Sequence, residues 1–213
     1  MSSRGYHRAM TRAVTIVATR AEHAVALEQL QVTCFPTLAP EQRFRREHYL
    51  HHITLFPEGQ LVALEGTRVV GVTSSIRVGD STLHAHHRFD EVFDGGWLGV
   101  HEPDGEWLYG VDIGVDPAYR RRGIARALYQ ARQGVVAALG LRGQVTVGML
   151  SGYGALCETL SAEQYYDELV RGERSDPTVT AQLRVGFEAR GLVAGYVDDP
   201  VCAGFGVLLV RPR

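Results

Sequence analysis

Residues 108–128, LYGVDIGVDPAYRRRGIARAL, constrain the fold of this chain more than any other stretch. Leu108 to Val115 is rich in β-formers and runs into Asp116-Pro117, a turn signal. Beyond the turn, Ile124, Ala127, Leu128, Ala131, Val135 and Leu139 recur at three- and four-residue steps. That spacing predicts a helix with one apolar, core-directed face, and Gly140 is the residue expected just past its end. A strand, a short turn and an amphipathic helix in tandem call for a helix packed on a sheet.

The turn has a chemical character of its own. The first four amides of a helix have no partner within it and carry the positive end of the helix dipole. Acidic residues normally collect there, yet Arg120, Arg121 and Arg122 precede this helix. Each exposed cation at that end costs about 0.3–1 kcal/mol unless an anion lies against the turn. Gly123 leaves room for the anion to approach, and Ala125 is nearly as small. The pattern Arg-x-x-Gly-x-Ala therefore reads as a phosphate cradle. The alternative is a solvated surface turn whose arginines pair with Asp116.

At these residues the chain resembles the GCN5-related N-acetyltransferase (GNAT) superfamily, in which a strand, a Gln/Arg-x-x-Gly-x-Gly/Ala turn and a helix bind the pyrophosphate of acetyl-CoA. The match spans Leu108 to Leu139. Downstream, Gln182-Leu183-Arg184-Val185-Gly186-Phe187 resembles the helix-to-strand junction that carries a Gly-Phe pair in the superfamily. Segments 151–169 and 176–196 are similar to one subgroup, acetyltransferase domains often fused to a carbon–nitrogen hydrolase; no hydrolase segment is recognised here. The resemblance implies an α/β (α+β) fold: a mixed, mostly antiparallel central sheet with helices on both faces.

Composition narrows the remaining classes. With 213 residues and 45% hydrophobic content, one domain over 12–213 is the simplest reading, preceded by a flexible tail over 1–11. No Ser-, Pro- or Gly-rich linker separates two halves. A net charge of −2 argues against a nucleic-acid or anionic-membrane surface. No run approaches the ~20 apolar residues that cross a bilayer, and Arg4, Arg8 and Arg12 are not followed by a signal-peptide core. Three scattered cysteines, Cys34, Cys157 and Cys202, fit a reduced, cytoplasmic setting. Every basic residue other than histidine is arginine, which excludes Schiff-base catalysis and a P-loop lysine.

Along the chain, Ala13–Ala18 reads as a first strand. Ala21–Thr33 reads as a helix with Ala24, Leu27 and Leu30 inward, and Pro40 opens a second helix to about His51. Gly59–Glu65 and Val69–Val78 form a hairpin. Residues 79–106 make a long excursion. After the Arg-rich turn and its helix come a strand (Gln144–Met149), helices across 154–172 and 177–189, and strands Leu192–Tyr196 and Gly204–Val210.

The resemblance also distributes the chemistry. Ile113, Gly114 and Val115 would pair like a strand with the pantetheine arm. Arg120, Arg121, Arg122, Gly123, Ile124, Ala125 and Arg126 would hold the pyrophosphate. The superfamily carries a bulge at the position of Gly114, and a glycine within a strand fits a bulge, a close backbone approach or plain packing. Asp112, just before it in an otherwise apolar strand, is the candidate proton acceptor, since an unpaired buried carboxylate should have a raised pKa. Pairing with an arginine or capping a turn is its alternative; Tyr109 on the opposite face and a water relay are rivals for the role. Where the superfamily often has a tyrosine acid, five residues before the Phe, this chain has Gln182. Tyr165 is the substitute candidate, against a packing role, and a coenzyme A thiolate can also leave without an acid.

His84, His86, His87 and His101 raise the idea of a metal site, but no cysteine or carboxylate completes a ligand spacing, so no metal is expected. Asp90, Glu91 and Asp94 could attract a cationic amine or merely solvate a loop. The expectation is an acetyl-CoA-dependent N-acetyltransferase acting on an amine of a small molecule or protein, with a non-catalytic acyl-CoA sensor as the alternative that Gln182 keeps open. A histidine metal module is the third reading. The resemblance makes a homodimer reasonable.

Overall fold

Seven strands form one sheet in the order β1-β2-β3-β4-β5-β7-β6. The computed structural model describes residues 13–83 and 86–213; the expected tail and His84 lie outside the described residues. In chain order the strands and helices are β1 (Val14–Ala18), α1 (Ala24–Cys34), α2 (Arg46–Leu55), β2 (Leu61–Glu65), β3 (Arg68–Val78), α3 (Phe89–Phe93), β4 (Trp107–Val115), α4 (Ile124–Ala138), β5 (Gly143–Met149), α5 (Ala162–Val170), α6 (Val179–Arg184), β6 (Glu188–Val193) and β7 (Gly206–Pro212). All neighbours are antiparallel except β4 and β5. The mixed, mostly antiparallel sheet with helices on both faces is therefore observed. No described helix is long and apolar enough to cross a membrane.

Two irregularities in β4 shape the centre of the sheet. The first is a bulge. Ser74 pairs with Asp112 and Ser75 with Gly110, leaving Val111 unopposed. The bulge is thus at Val111 and not at Gly114, which pairs regularly with Val72. Regular alternation would place positions 110, 112 and 114 on one face, and one extra residue inverts everything beyond it. The glycines report the inversion. A Cβ on Gly110 would run into Arg132 of α4, whereas one on Gly114 would stand 3.2 Å from Cys34 Sγ of α1. Asp112 is thereby turned toward α1 and α2.

The second irregularity is a splay. β4 pairs with β5 only over Trp107–Tyr109 and Gly143–Val145. Thr146 Oγ1 adds a bond to the carbonyl of Gly110 at 2.7 Å. β5 pairs with β7 on its other side along its whole length, and beyond the splay the β5-facing edge of residues 111–115 has no strand beside it among the described residues.

Several element boundaries differ from the sequence expectation. Pro40 opens only a single turn, Pro40–Gln42, and α2 begins at Arg46. The chain is extended at Arg43, which lets Phe44 bury itself against Phe93 and His52, with ring centroids 5.0 and 4.7 Å away. The helix expected from 154 begins at 162, where Ser161 and Gln164 form a reciprocal capping box. Before it, Gly154 passes so close to the carbonyl of Pro200 that no side chain would fit. α6 stops at Arg184 because Gly186 takes a positive φ of 95°. The following strand therefore starts at Glu188 instead of Leu192 and gives way to a turn at Gly195. On α4 the buried face is Ile124, Leu128, Tyr129, Arg132 and Val136, while Leu139 is 38% exposed.

Candidate active site

The Arg-rich turn leaves β4 through Asp116, whose Oδ1 accepts from the amide of Ala118 at 2.9 Å. Asp116 pairs with Arg68 at 3.0 Å, not with an arginine of the turn. Arg121 has φ of 61° and Gly123 of 81°, and a Cβ on Gly123 would meet nothing within 4 Å. The turn is therefore open to solvent at its glycine. The first helical bond runs from Ala127 N–H to the carbonyl of Gly123 at 3.0 Å, so the amides from Gly123 to Arg126 lack acceptors one turn back. Arg122 lies over the Tyr119 ring at 4.6 Å and reaches Glu65 at 3.9 Å. Arg120, Arg121 and Arg126 are exposed, and none forms an ion pair among the described residues. Unpaired cations and free amides converge on one open turn, which is what an anion needs.

From that turn the free edge of β4 leads to Asp112. Ile113 and Val115 pack toward Ile124 and Leu128 under α4, and Gly114 is buried against Cys34. Along 111–115 the β5-facing edge offers backbone donors and acceptors to any thin, extended ligand.

Asp112 is half-buried and doubly bonded. Oδ1 accepts from the amide of Ser74 and Oδ2 from Gln31 Nε2, each at 2.6 Å. Gln31 Nε2 also donates to the Tyr49 hydroxyl at 2.7 Å. Burial pushes the Asp112 pKa up, and the Ser74 amide, Gln31, the Ser74 hydroxyl and Arg132 pull it back. The result is a carboxylate positioned as an acceptor and more basic than usual. Cys34 stands next to it with its thiol pushed up to about 12, chiefly by burial, so it is a neutral neighbour.

Tyr165 sits apart from this group. Its hydroxyl donates to the buried Asp176 at 3.0 Å, and its ring packs on Tyr153 with centroids 5.4 Å apart. No hydrogen bond or ring contact joins it to Asp112 among the described residues. Gln182 is buried against Gly148, its Oε1 without a partner among the described residues. Tyr109 is also buried, with its hydroxyl 2.7 Å from His87 Nε2.

The excursion residues are occupied locally. His86 Nε2 accepts from the amide of Ala194 at 3.1 Å, and His101 Nδ1 from the amide of Arg77 at 3.1 Å. No cluster of three or more His, Cys, Asp or Glu able to hold a metal occurs among the described residues. Asp90 accepts from Gln42, Glu91 from the amide of Arg88 and Asp94 from the amide of Gly99. Sequence reasoning missed Gln31, Tyr49, Thr73, Ser74 and Arg132. Gln31 was findable: it falls four residues after Leu27 on the inward face of α1.

Residues 24–149 match the family model described as the acetyltransferase (GNAT) family. Two proteins of Bacillus subtilis (strain 168) are each 32% identical to the chain. For "Probable hydrolase YhcX" the match covers 170 residues, 80% of this chain, so the chain spans only 33% of that protein's length. For "Uncharacterized N-acetyltransferase YkwB" it covers 184 residues, 86% of this chain and 81% of that protein. Among solved structures, the GphF GNAT-like decarboxylase in complex with isobutyryl-CoA superposes with a TM-score of 0.75 at 26% identity, covering 93% of this chain and 98% of its own.

Proposed function

The chain belongs to the acetyltransferase (GNAT) family, and from that premise we propose that it transfers an acetyl group directly from acetyl-CoA to a primary amine of a small molecule or protein. The observation that carries this reading is the continuous path from the open Arg-rich turn, along the free edge of β4, to the carboxylate of Asp112. Amides of Arg121 to Arg126, with Arg120 and the neighbouring guanidiniums, hold the pyrophosphate. Ile113, Gly114 and Val115 pair with the pantetheine arm and aim the thioester toward Asp112.

The reaction balances on these groups. The amine nitrogen attacks the thioester carbon, the C–N bond forms, and the C–S bond breaks. The proton released from nitrogen passes to Asp112, which is suited to take it because it already acts only as an acceptor. Coenzyme A leaves as thiolate and is protonated from solvent. Tyr165, whose hydroxyl serves Asp176, is assigned a packing role.

The similarity to a GNAT-like decarboxylase supports a second reading, loss of CO2 from a carboxyacyl-CoA. A carboxylate at Asp112 repels the negative charge of such a substrate, which places amine acetylation first. Calorimetry with acetyl-CoA, then thiol release across an amine library and CO2 release from malonyl-CoA, tests the choice. Amine-dependent thiol release is expected. Absence of acetyl-CoA binding at millimolar concentration would sink both readings, CO2 release without amine dependence would favour the second, and binding without either reaction would leave an acyl-CoA sensor.

A further inference from the structure

Arg132 is a cation where the fold has little reason to hold one. It lies on the inward face of α4 with 1% of its surface exposed. Its Nη1 donates to Thr73 Oγ1 at 3.4 Å, while Nε and Nη2 have no hydrogen-bond partner among the described residues. Removing a guanidinium from water in this way is unfavourable unless a charge or dipole compensates. The Tyr129 ring beneath it, 5.3 Å away, supplies part of that. No carboxylate forms an ion pair with it among the described residues, yet the Asp112 carboxylate acts on it electrostatically, together with the phenols of Tyr129 and Tyr109.

The link between the two runs through Thr73. The Thr73 hydroxyl donates to the main-chain carbonyl of Asp112 at 2.7 Å. Its hydrogen is committed there, so the oxygen is left to accept from Arg132. Space for the guanidinium is made by Gly110, the residue just before the bulge. One cation thus sits under the bulge, bonded through a single hydroxyl to the backbone of the residue that carries the proposed proton acceptor.

We propose that Arg132 is a positioning residue for Asp112, fixing the bulge through Thr73 and holding the carboxylate in its charged, proton-accepting form from the opposite face of the sheet. The catalytic consequence rests on the reading of Asp112 as proton acceptor; the electrostatic coupling does not. Three other groups face the neighbourhood. Cys34 of α1 and Tyr49 of α2 are neutral near pH 7, both pushed upward chiefly by burial, and Tyr109 of β4 likewise. Arg120 and Asp116 act on Cys34. Among the groups that act on the Asp112 carboxyl itself, the cation is Arg132.

The test is a carbon-13 NMR titration of the aspartate carboxyls, with Asp112 assigned by its loss in Asp112→Asn, read beside the pH profile of kcat/KM. In Arg132→Met the Asp112 midpoint is expected to move upward by about one pH unit, and in Arg132→Lys to return part of the way. The acid limb of kcat/KM should follow, with acetyl-CoA affinity unchanged. An Asp112 midpoint unmoved in Arg132→Met overturns the proposal, because a merely structural arginine would cost stability without altering the titration. Should Arg132→Met not fold, Thr73→Val decides: it is expected to lower kcat about tenfold at constant KM for acetyl-CoA, and wild-type kcat would overturn the positioning role. If the midpoint moves while the acid limb stays, Arg132 keeps its role and Asp112 is not the proton acceptor.

Discussion

Gly110 and Arg132 interlock across the β4–α4 interface: a Cβ at position 110 would overlap the guanidinium. Gly110→Ala must therefore displace a buried charge or open the interface. Overpacking of this kind costs about 1–3 kcal/mol, read as a lower urea midpoint at unchanged slope. The double variant Gly110→Ala/Arg132→Met should recover part of that loss, since the methyl no longer meets a charge. Additive losses would show that the two positions are not coupled.

Gly123→Asp addresses the turn. The position has room for a side chain but a φ of 81°, so the variant should fold with modest strain. A carboxylate among the free helix amides is expected to weaken acetyl-CoA binding roughly 100-fold. Gly123→Ala adds the strain without the charge and should lose far less. Equal affinities for Gly123→Asp and the parent protein would place the pyrophosphate elsewhere.

Asp112→Asn and Gln31→Leu probe the acceptor. Loss of a proton acceptor typically lowers turnover 10²–10⁴-fold, so Asp112→Asn is expected to lose at least about 100-fold in kcat while binding acetyl-CoA normally. Gln31→Leu removes one donor that pulls the Asp112 pKa down. Its acid limb should therefore move to higher pH, with activity recovered in alkali. A shift toward lower pH would contradict the sign of the interaction.

His52 makes stability depend on acid. It is fully buried, Nε2 bonds the Gly96 carbonyl at 2.7 Å, and burial lowers its pKa to about 4. Because the unfolded chain takes up the proton first, this group's contribution is complete above the unfolded value near 6.5. It is lost as pH falls from there toward 4, by on the order of 3 kcal/mol. His23, His48 and His101 shift in the same direction, each chiefly through burial. Urea unfolding between pH 7 and pH 4 should show the decline, and a flat profile would refute it.

The turn and its flanking elements were legible because local chemistry decides them: glycine at positive φ, free helix amides and apolar periodicity act within a few residues. The bulge was misplaced by the same local logic. Gly114 looked like a site of distortion, but it is bare because Cys34 of α1 packs on it, a partner eighty residues away. Arg132 was hidden for a similar reason. Periodicity assigns an arginine to solvent, and only the absence of a side chain at Gly110 makes an interior position available. Asp112 was legible as an acceptor, whereas its partners Gln31 and Ser74 come from α1 and β3 and required the sheet register.

Strand pairing joins β1–β4 to β5–β7 along this seam over three residue pairs, 107–109 with 143–145, with the Thr146 hydroxyl bonded to the Gly110 carbonyl just beyond them. A ligand lying along 111–115 would occupy the opening between β4 and β5, where no strand pair has to part to admit it. Its departure would break no bond between protein strands, so product release need not wait for any partial unfolding of the sheet.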